Sequence, residues 1–187
     1  MIIGISGLQG SGKDTLANIL VSDYGYYKYN LAEPLYKLAV TLYPSSCLKA
    51  YYDNLGIWDS TKLENQKRLF KETELSDKYY GRNLLQDLGD VARKSDNYIF
   101  CKLADSNTYF YDKVVIPDIR TKYELTWLKS KPNNLLIYLQ RDGLINLDNH
   151  ETESYHEQLI KASDIEIDNN KDINYLKDQL NYYVKEL

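Results

Sequence analysis

The sequence predicts an α/β fold in which a parallel sheet is covered by helices on both faces. Three observations predict it. Short apolar runs at Met1–Ser6, Val114–Pro117 and Leu135–Leu139 have the length and hydrophobicity of strands buried on both sides. Segments with apolar residues at helical spacing lie between them. The first run ends in a glycine-rich turn that leads directly into the first helical segment. Strands that alternate with helices are joined by crossovers, and ligands of such sheets bind beyond the carboxyl ends of the strands. The loops after Ser6, Asn30, Pro117, Leu139 and Ile167 are therefore the candidate functional loops.

Each element follows from local pattern. Lys13 to Asp23 carries Leu16, Ile19 and Leu20 on one helical side. Tyr26 to Asn30 is a short second strand. Pro34 opens a helix to about Tyr43, since proline is tolerated in a first turn. Residues 45–81 are polar and aromatic, with a helix expected within Thr61 to Thr73. Arg82 to Lys94 is helical, with Leu84, Leu85, Leu88 and Val91 on one side, and Asn97 to Ala104 continues helically. After the Val114–Pro117 strand comes a helix from about Tyr123 to Lys129, then the fourth strand. Arg141 to Glu157 reads as a charged loop, Ile165 to Ile167 as a fifth strand, and Ile173 to Glu186 as the closing helix.

Composition sets the outer limits. A chain of 187 residues, 43% of them hydrophobic, is sufficient for one domain with its own core. Cys47 and Cys101 are isolated and His150 and His156 have no cysteine nearby, so neither a disulfide nor a zinc site is expected. The opening MIIGISGLQG has no basic n-region, and no apolar stretch approaches the roughly 20 residues that span a bilayer, which predicts a soluble, cytoplasmic protein. A net charge of −4 argues against a nucleic-acid polymer as partner. It leaves room for one small anionic ligand in a locally positive pocket. Nineteen tyrosines against three phenylalanines fit codon bias from an AT-rich genome better than a base-stacking platform.

The chemistry concentrates in Gly7-Leu8-Gln9-Gly10-Ser11-Gly12-Lys13, which fits G-x-x-x-x-G-K between a strand and a helix. Glycines there let successive backbone N–H groups turn inward around a phosphate. The helix that follows directs its unpaired N–H groups and positive dipole end at the same anion. Lys13 adds a mobile positive charge for the β- and γ-phosphates. Gly10, Ser11, Gly12, Lys13, Asp14 and Thr15 are thus the candidate ATP-binding residues. Asp14 stands where Ser or Thr usually meets Mg²⁺. It can hold the metal through water, pair with a neighbouring cation or favour the helix's first turn, while Thr15 can offer its hydroxyl.

With these residues in hand, the chain resembles the viral and phage deoxynucleoside monophosphate kinase family of P-loop kinases. The resemblance rests on Gly7 to Thr15, Asn30-Leu-Ala-Glu-Pro-Leu-Tyr-Lys37 and Arg82-Asn-Leu-Leu-Gln-Asp-Leu-Gly89 with Arg93. It continues through Val114-Val-Ile-Pro-Asp-Ile-Arg120 with Glu124, Arg141, and Ala162-Ser-Asp-Ile-Glu-Ile-Asp-Asn-Asn170. These pieces are collinear over nearly the whole chain and match least at 45–81. The family's His-x-Ser-Glu-like lid element is approximated by Glu153-Ser154-Tyr155-His156-Glu157.

The resemblance implies a three-layer, P-loop kinase-like domain over 1–187 with a five-stranded parallel sheet in order 2-3-1-4-5. Residues 45–81 would be an acceptor-side insertion and 141–157 a mobile lid. It implies phosphorylation of a nucleoside or deoxynucleoside monophosphate with ATP and Mg²⁺, in a viral or phage setting, and leaves homodimerisation open. Asn169 falls where related kinases surround the adenine.

The remaining residues suit that chemistry. Arg82 and Gln86, four apart, project from one helical side, where a guanidinium can grip a monophosphate bidentately and an amide can pair with a base edge. Arg93 and Lys37 are further candidates for the acceptor phosphate. Asp118, at the end of a strand, can orient Mg²⁺ or its waters, and Arg120 and Arg141 can meet the transferring phosphoryl group. Asp14, Thr15 and Asp118 are the candidate metal residues. Glu124 is expected to orient an arginine. Two other readings stay open: a P-loop kinase for dephospho-coenzyme A or phosphomevalonate, and a nucleotide-binding switch protein.

Overall fold

The computed structural model describes residues 1–42, 70–71, 74–76, 79–144 and 155–184. These fall into two compact units, Met1–Leu31 with Phe100–Leu187, and Ala32–Ile99.

The larger unit is built on five parallel strands: β1 (Ile2–Ser6), β2 (Tyr27–Lys28), β5 (Val114–Ile116), β6 (Asn134–Gln140) and β7 (Ile165–Asp168). Their order in the sheet is β2-β5-β1-β6-β7, which is 2-3-1-4-5 when these five strands are counted in chain order. Register is set by β1, where Ile3 lies opposite Val115 on one side and Leu135 on the other.

Side chains alternate along β1, and the two faces differ accordingly. Ile3 and Ile5, with Val115, Ile137, Leu139 and Ile167, form one buried cluster with two helices, α1 (Lys13–Tyr24) and α7 (Ile173–Val184). Leu16, Ala17, Ile19 and Leu20 come from the first, and Leu176 and Leu180 from the second. Gly4 faces the opposite way, where a Cβ would collide with Leu128 and Ile119. Its bare backbone lets helix α5 (Lys122–Lys129) pack closely on that side, together with α6 (His156–Ala162). Helix α4 (Ile99–Thr108) buries Phe100, Cys101 and Ala104, and its Asp105 accepts the Trp127 indole N–H and pairs with Lys131 at 2.6 Å.

The outer edge of the sheet at β7 is held by a side chain. Gln179 of α7 accepts the N–H of Asp168 at 3.2 Å and donates to its carbonyl at 2.6 Å, as a neighbouring strand would.

The smaller unit contains α2 (Glu33–Leu42), an antiparallel pair β3 (Glu74–Ser76) and β4 (Tyr79–Tyr80), and α3 (Gly81–Ser95). Helix α2 packs on α3. Gly81 starts α3 against the Phe70 backbone, which leaves no space for a Cβ.

Several expectations need correction. The hairpin β3–β4 is too short and polar to show a strand pattern. Val91 is 65% exposed, because the buried side of α3 runs through Gly81, Leu84, Leu85 and Gly89. Val91 lies about a quarter-turn from the centre of that side. Helix α4 starts at Ile99, not Asn97, because Asp96 ends α3 in a turn, taking the N–H of Tyr98 on its carboxylate and that of Ile99 on its carbonyl. The loop after β6 does not extend to Glu157, since His156 and Glu157 begin α6, whose Leu159 is buried. The expected helix before residue 70, the interior of the lid segment at 145–154, and Cys47 and His150 lie outside the described residues.

Candidate functional site

Strand β1 delivers the chain into the glycine loop, and α1 carries it away. Gly7 has φ 147°, and a Cβ there would strike the Leu139 carbonyl of the adjacent strand. Gly12 has φ 97°, and a Cβ there would strike the Asn169 side chain. Both positions require glycine for conformation and for space. Inside the loop the Ser11 N–H bonds the Leu8 carbonyl at 3.1 Å. The Lys13 ammonium curls back to the Gly7 and Leu8 carbonyls, 2.7 Å from each.

Helix α1 has no side-chain cap at Gly12. Its first internal bond runs from the Leu16 N–H to the Gly12 carbonyl, so the amides of Asp14 and Thr15 have no acceptor within the helix. Helix α5 differs: Thr121 and Glu124 form a reciprocal capping box. The start of α1 is thus furnished to receive an anion, and that of α5 is closed by its own side chains. Within the loop the Ser11 hydroxyl is fully buried and has no hydrogen-bond partner.

Two other loops at the carboxyl ends of the strands meet this turn. From the end of β6, Arg141 Nη1 approaches the Gly10 carbonyl at 3.4 Å. From the end of β7, Asn169 Nδ2 donates to the Ser11 carbonyl at 2.7 Å. After β5, Asp118 accepts the Leu31 N–H at 3.0 Å and so ties the loop after β2 to the end of β5. The exposed Arg120 follows, its backbone N–H held by the buried Glu124 carboxylate at 2.7 Å. Glu124 therefore fixes the backbone from which Arg120 projects.

Asp14 and Thr15 are both exposed on the first turn of α1. The Asp14 carboxylate pairs with Lys28 Nζ at 2.7 Å. Lys28 is a residue that sequence reasoning missed. A lone lysine in a strand of tyrosines was the available signal.

In the smaller unit, Arg82, Gln86 and Arg93 are half-buried on α3 and lie within about 40° of one another around its axis. Gly89 belongs to the same stripe: a Cβ there would come within 3.1 Å of Arg93 Nη1 and 3.4 Å of Leu35 Cδ1. Arg93 also lies 3.9 Å from Asp90. Lys37 lies exposed on α2.

Comparison with known proteins supplies the family. The model of the family described as deoxynucleotide monophosphate kinase matches residues 48–180. The chain belongs to the deoxynucleotide monophosphate kinase family. The matched range begins after the glycine loop, so the geometry of that loop is an observation independent of the family match.

A protein of Acanthamoeba polyphaga mimivirus, provisionally named a deoxynucleotide monophosphate kinase, is 28% identical over 189 residues, covering 96% of this chain and 94% of its own. Among solved structures, TT1252 from Thermus thermophilus aligns with a TM-score of 0.52 at 20% identity, covering 100% of this chain and 97% of that one, and shares the fold. A chain titled dephospho-CoA kinase from Campylobacter jejuni aligns with a TM-score of 0.48 at 11% identity, over 99% of this chain and 96% of that one. As a family member the protein is a nucleotide kinase, a phosphotransferase that uses ATP. No helix among the described residues is long and apolar enough to cross a membrane.

Proposed function

We propose that this kinase moves the γ-phosphoryl group of ATP onto the phosphate of a nucleoside or deoxynucleoside monophosphate, with Gly7 to Thr15 holding the donor. The observation that carries the assignment is the uncapped start of α1 behind two obligatory glycines, with the Lys13 ammonium folded into the same loop. A triphosphate suits such a turn, because backbone amides, a helix dipole and a lysine all favour negative charge there.

The reaction needs little chemistry from the protein. An oxygen of the monophosphate attacks the γ-phosphorus, the bond to the β–γ bridging oxygen breaks, and ADP leaves with that electron pair. The nucleophile is already anionic, so no general base is required, and catalysis consists of positioning and charge neutralisation. Lys13 moves from its two carbonyls to the β- and γ-oxygens. Arg120 and Arg141 neutralise the charge that spreads over the transferring group. On α3, Arg82 grips the acceptor phosphate with Arg93 and Lys37 in support, and Gln86 pairs with the base edge.

Mg²⁺ would be held by the Thr15 hydroxyl, the Asp118 carboxylate and, through water, Asp14. Mg²⁺ ordinarily keeps several waters and shares substrate phosphates, so one or two protein carboxylates suffice for it. When bound, it would screen the β- and γ-oxygens.

The test is ADP release measured with and without each common monophosphate. Turnover that depends strongly on one acceptor supports the assignment. ADP released at the same rate without any acceptor overturns it in favour of a nucleotide-hydrolysing switch.

A further inference from the structure

Asn169 lies beside the donor loop, but its side chain is directed at the loop's backbone. Its Nδ2 donates to the Ser11 carbonyl at 2.7 Å and fills the space that a Cβ on Gly12 would need. Its own position is fixed from two directions. Its backbone N–H bonds the Gln140 carbonyl at 2.8 Å. The next residue, Asn170, accepts the Asp142 N–H at 2.8 Å and holds Asp168 Oδ1 through both its backbone and side-chain nitrogens, at 3.1 Å and 2.5 Å. The ends of β6 and β7 are thereby locked together, and Asn169 projects from the lock.

The consequence follows from peptide geometry. The described chain contains no cis peptide bonds, so the Ser11 carbonyl and the Gly12 N–H point in opposite directions across one plane. Holding the carbonyl on Asn169 turns the Gly12 N–H the other way. Gly12 is left-handed and Lys13 is helical, a succession that gathers consecutive N–H groups on one concave side. We infer that Asn169 is a positioning residue for the polyphosphate cradle, aligning the Gly12 amide with those of the first turn of α1. Its amide nitrogen serves the loop backbone and not the nucleobase. This inference rests on the donor-site reading above and adds a residue to it.

The experiment compares wild type with Asn169→Asp, which keeps the shape but sets an acceptor against the Ser11 carbonyl, and Asn169→Ala, which removes the contact. Calorimetric titration with ATP, GTP and inorganic tripolyphosphate is combined with thermal melting and with KM for the preferred monophosphate. The expected result is an equal loss of about tenfold for all three polyphosphates in both variants, the scale of one misdirected charge-assisted hydrogen bond. KM for the monophosphate should stay within about twofold.

A loss confined to ATP, with tripolyphosphate unchanged, overturns the inference and makes Asn169 a base contact. Unchanged affinity for every ligand overturns it as well, as does a rise in monophosphate KM equal to the loss of donor affinity, which would signal general misfolding. If Asn169→Asp does not fold, Asn169→Ala decides alone. Wild type that binds neither ATP nor tripolyphosphate would bring down the donor site itself, an outcome distinct from wild-type binding with indifferent variants.

Discussion

Lys28 Nζ lies 2.7 Å from Asp14 Oδ1 and 3.2 Å from Asn18 Oδ1, so strand β2 neutralises the acidic residue that follows the P-loop lysine. A negative charge there would otherwise oppose a triphosphate. Lys28→Met should therefore weaken metal-free ATP, titrated in the presence of a chelator, about threefold to tenfold, and adding Asp14→Asn should recover most of that loss. The pair's direct effect on stability should stay near 0.5 kcal/mol, because the Asp14 side chain is 58% exposed. A double-mutant cycle read by both titration and melting separates the two effects.

Lys13→Ala removes the one ammonium group in the loop. The Gly7 and Leu8 carbonyls it holds can be solvated instead, so the fold should persist. Turnover should fall by about 100-fold or more, and ATP should no longer raise the melting temperature appreciably. Steady-state kinetics and thermal shift check this together. An unchanged ATP affinity would refute the donor site.

Gly12→Ala places a side chain where φ is 97° and Asn169 already stands. Backbone strain of this kind costs about 1–3 kcal/mol. For a chain of this length that corresponds to a melting temperature lower by roughly 2–12 °C. The loss of ATP binding should exceed what the stability change alone explains, as titration below the melting transition would show.

Glu124→Ala strips the acceptor from the N–H groups of Arg120 and Thr121. The Thr121 group is buried, so about 1–3 kcal/mol of stability should be lost. If Arg120 acts on the phosphoryl group, kcat should fall with little change in KM for ATP. Chemical denaturation and single-turnover kinetics measure the two consequences separately.

Arg82→Lys keeps the charge and loses the planar fork. KM for the monophosphate should rise about tenfold while KM for ATP stays within about twofold. Gln86→Ala should instead alter the preference among bases, measured by kcat/KM across the four deoxynucleoside monophosphates.

What could be read in advance was whatever depends on near neighbours in the chain. The glycine loop was legible because Gly7, Gly12 and Lys13 state their backbone requirements within one turn. The capping box at Thr121 and Glu124 is equally local, yet it was not read from the sequence, where Glu124 was expected only to orient an arginine. The Lys28–Asp14 pair was not legible, because it arises only when β2 lies beside α1 in the folded sheet. The hold of Asn169 on Ser11 joins residues 158 positions apart, so sequence order could place Asn169 after the last strand but could not orient its side chain. Val91 misled because helical spacing gives the period of a pattern without the direction of the partner helix.

The amide clamp of Gln179 on Asp168 has a bearing on how copies of the enzyme meet. Along a parallel strand every second residue turns its backbone outward, so with Asp168 engaged only Glu166 offers an open rung at that margin, and it carries an exposed charge. The opposite margin, Tyr27–Lys28, is two residues long. Neither border of the five-stranded sheet gives an incoming chain enough ladder to extend it, so a second copy could not add to that sheet by strand pairing.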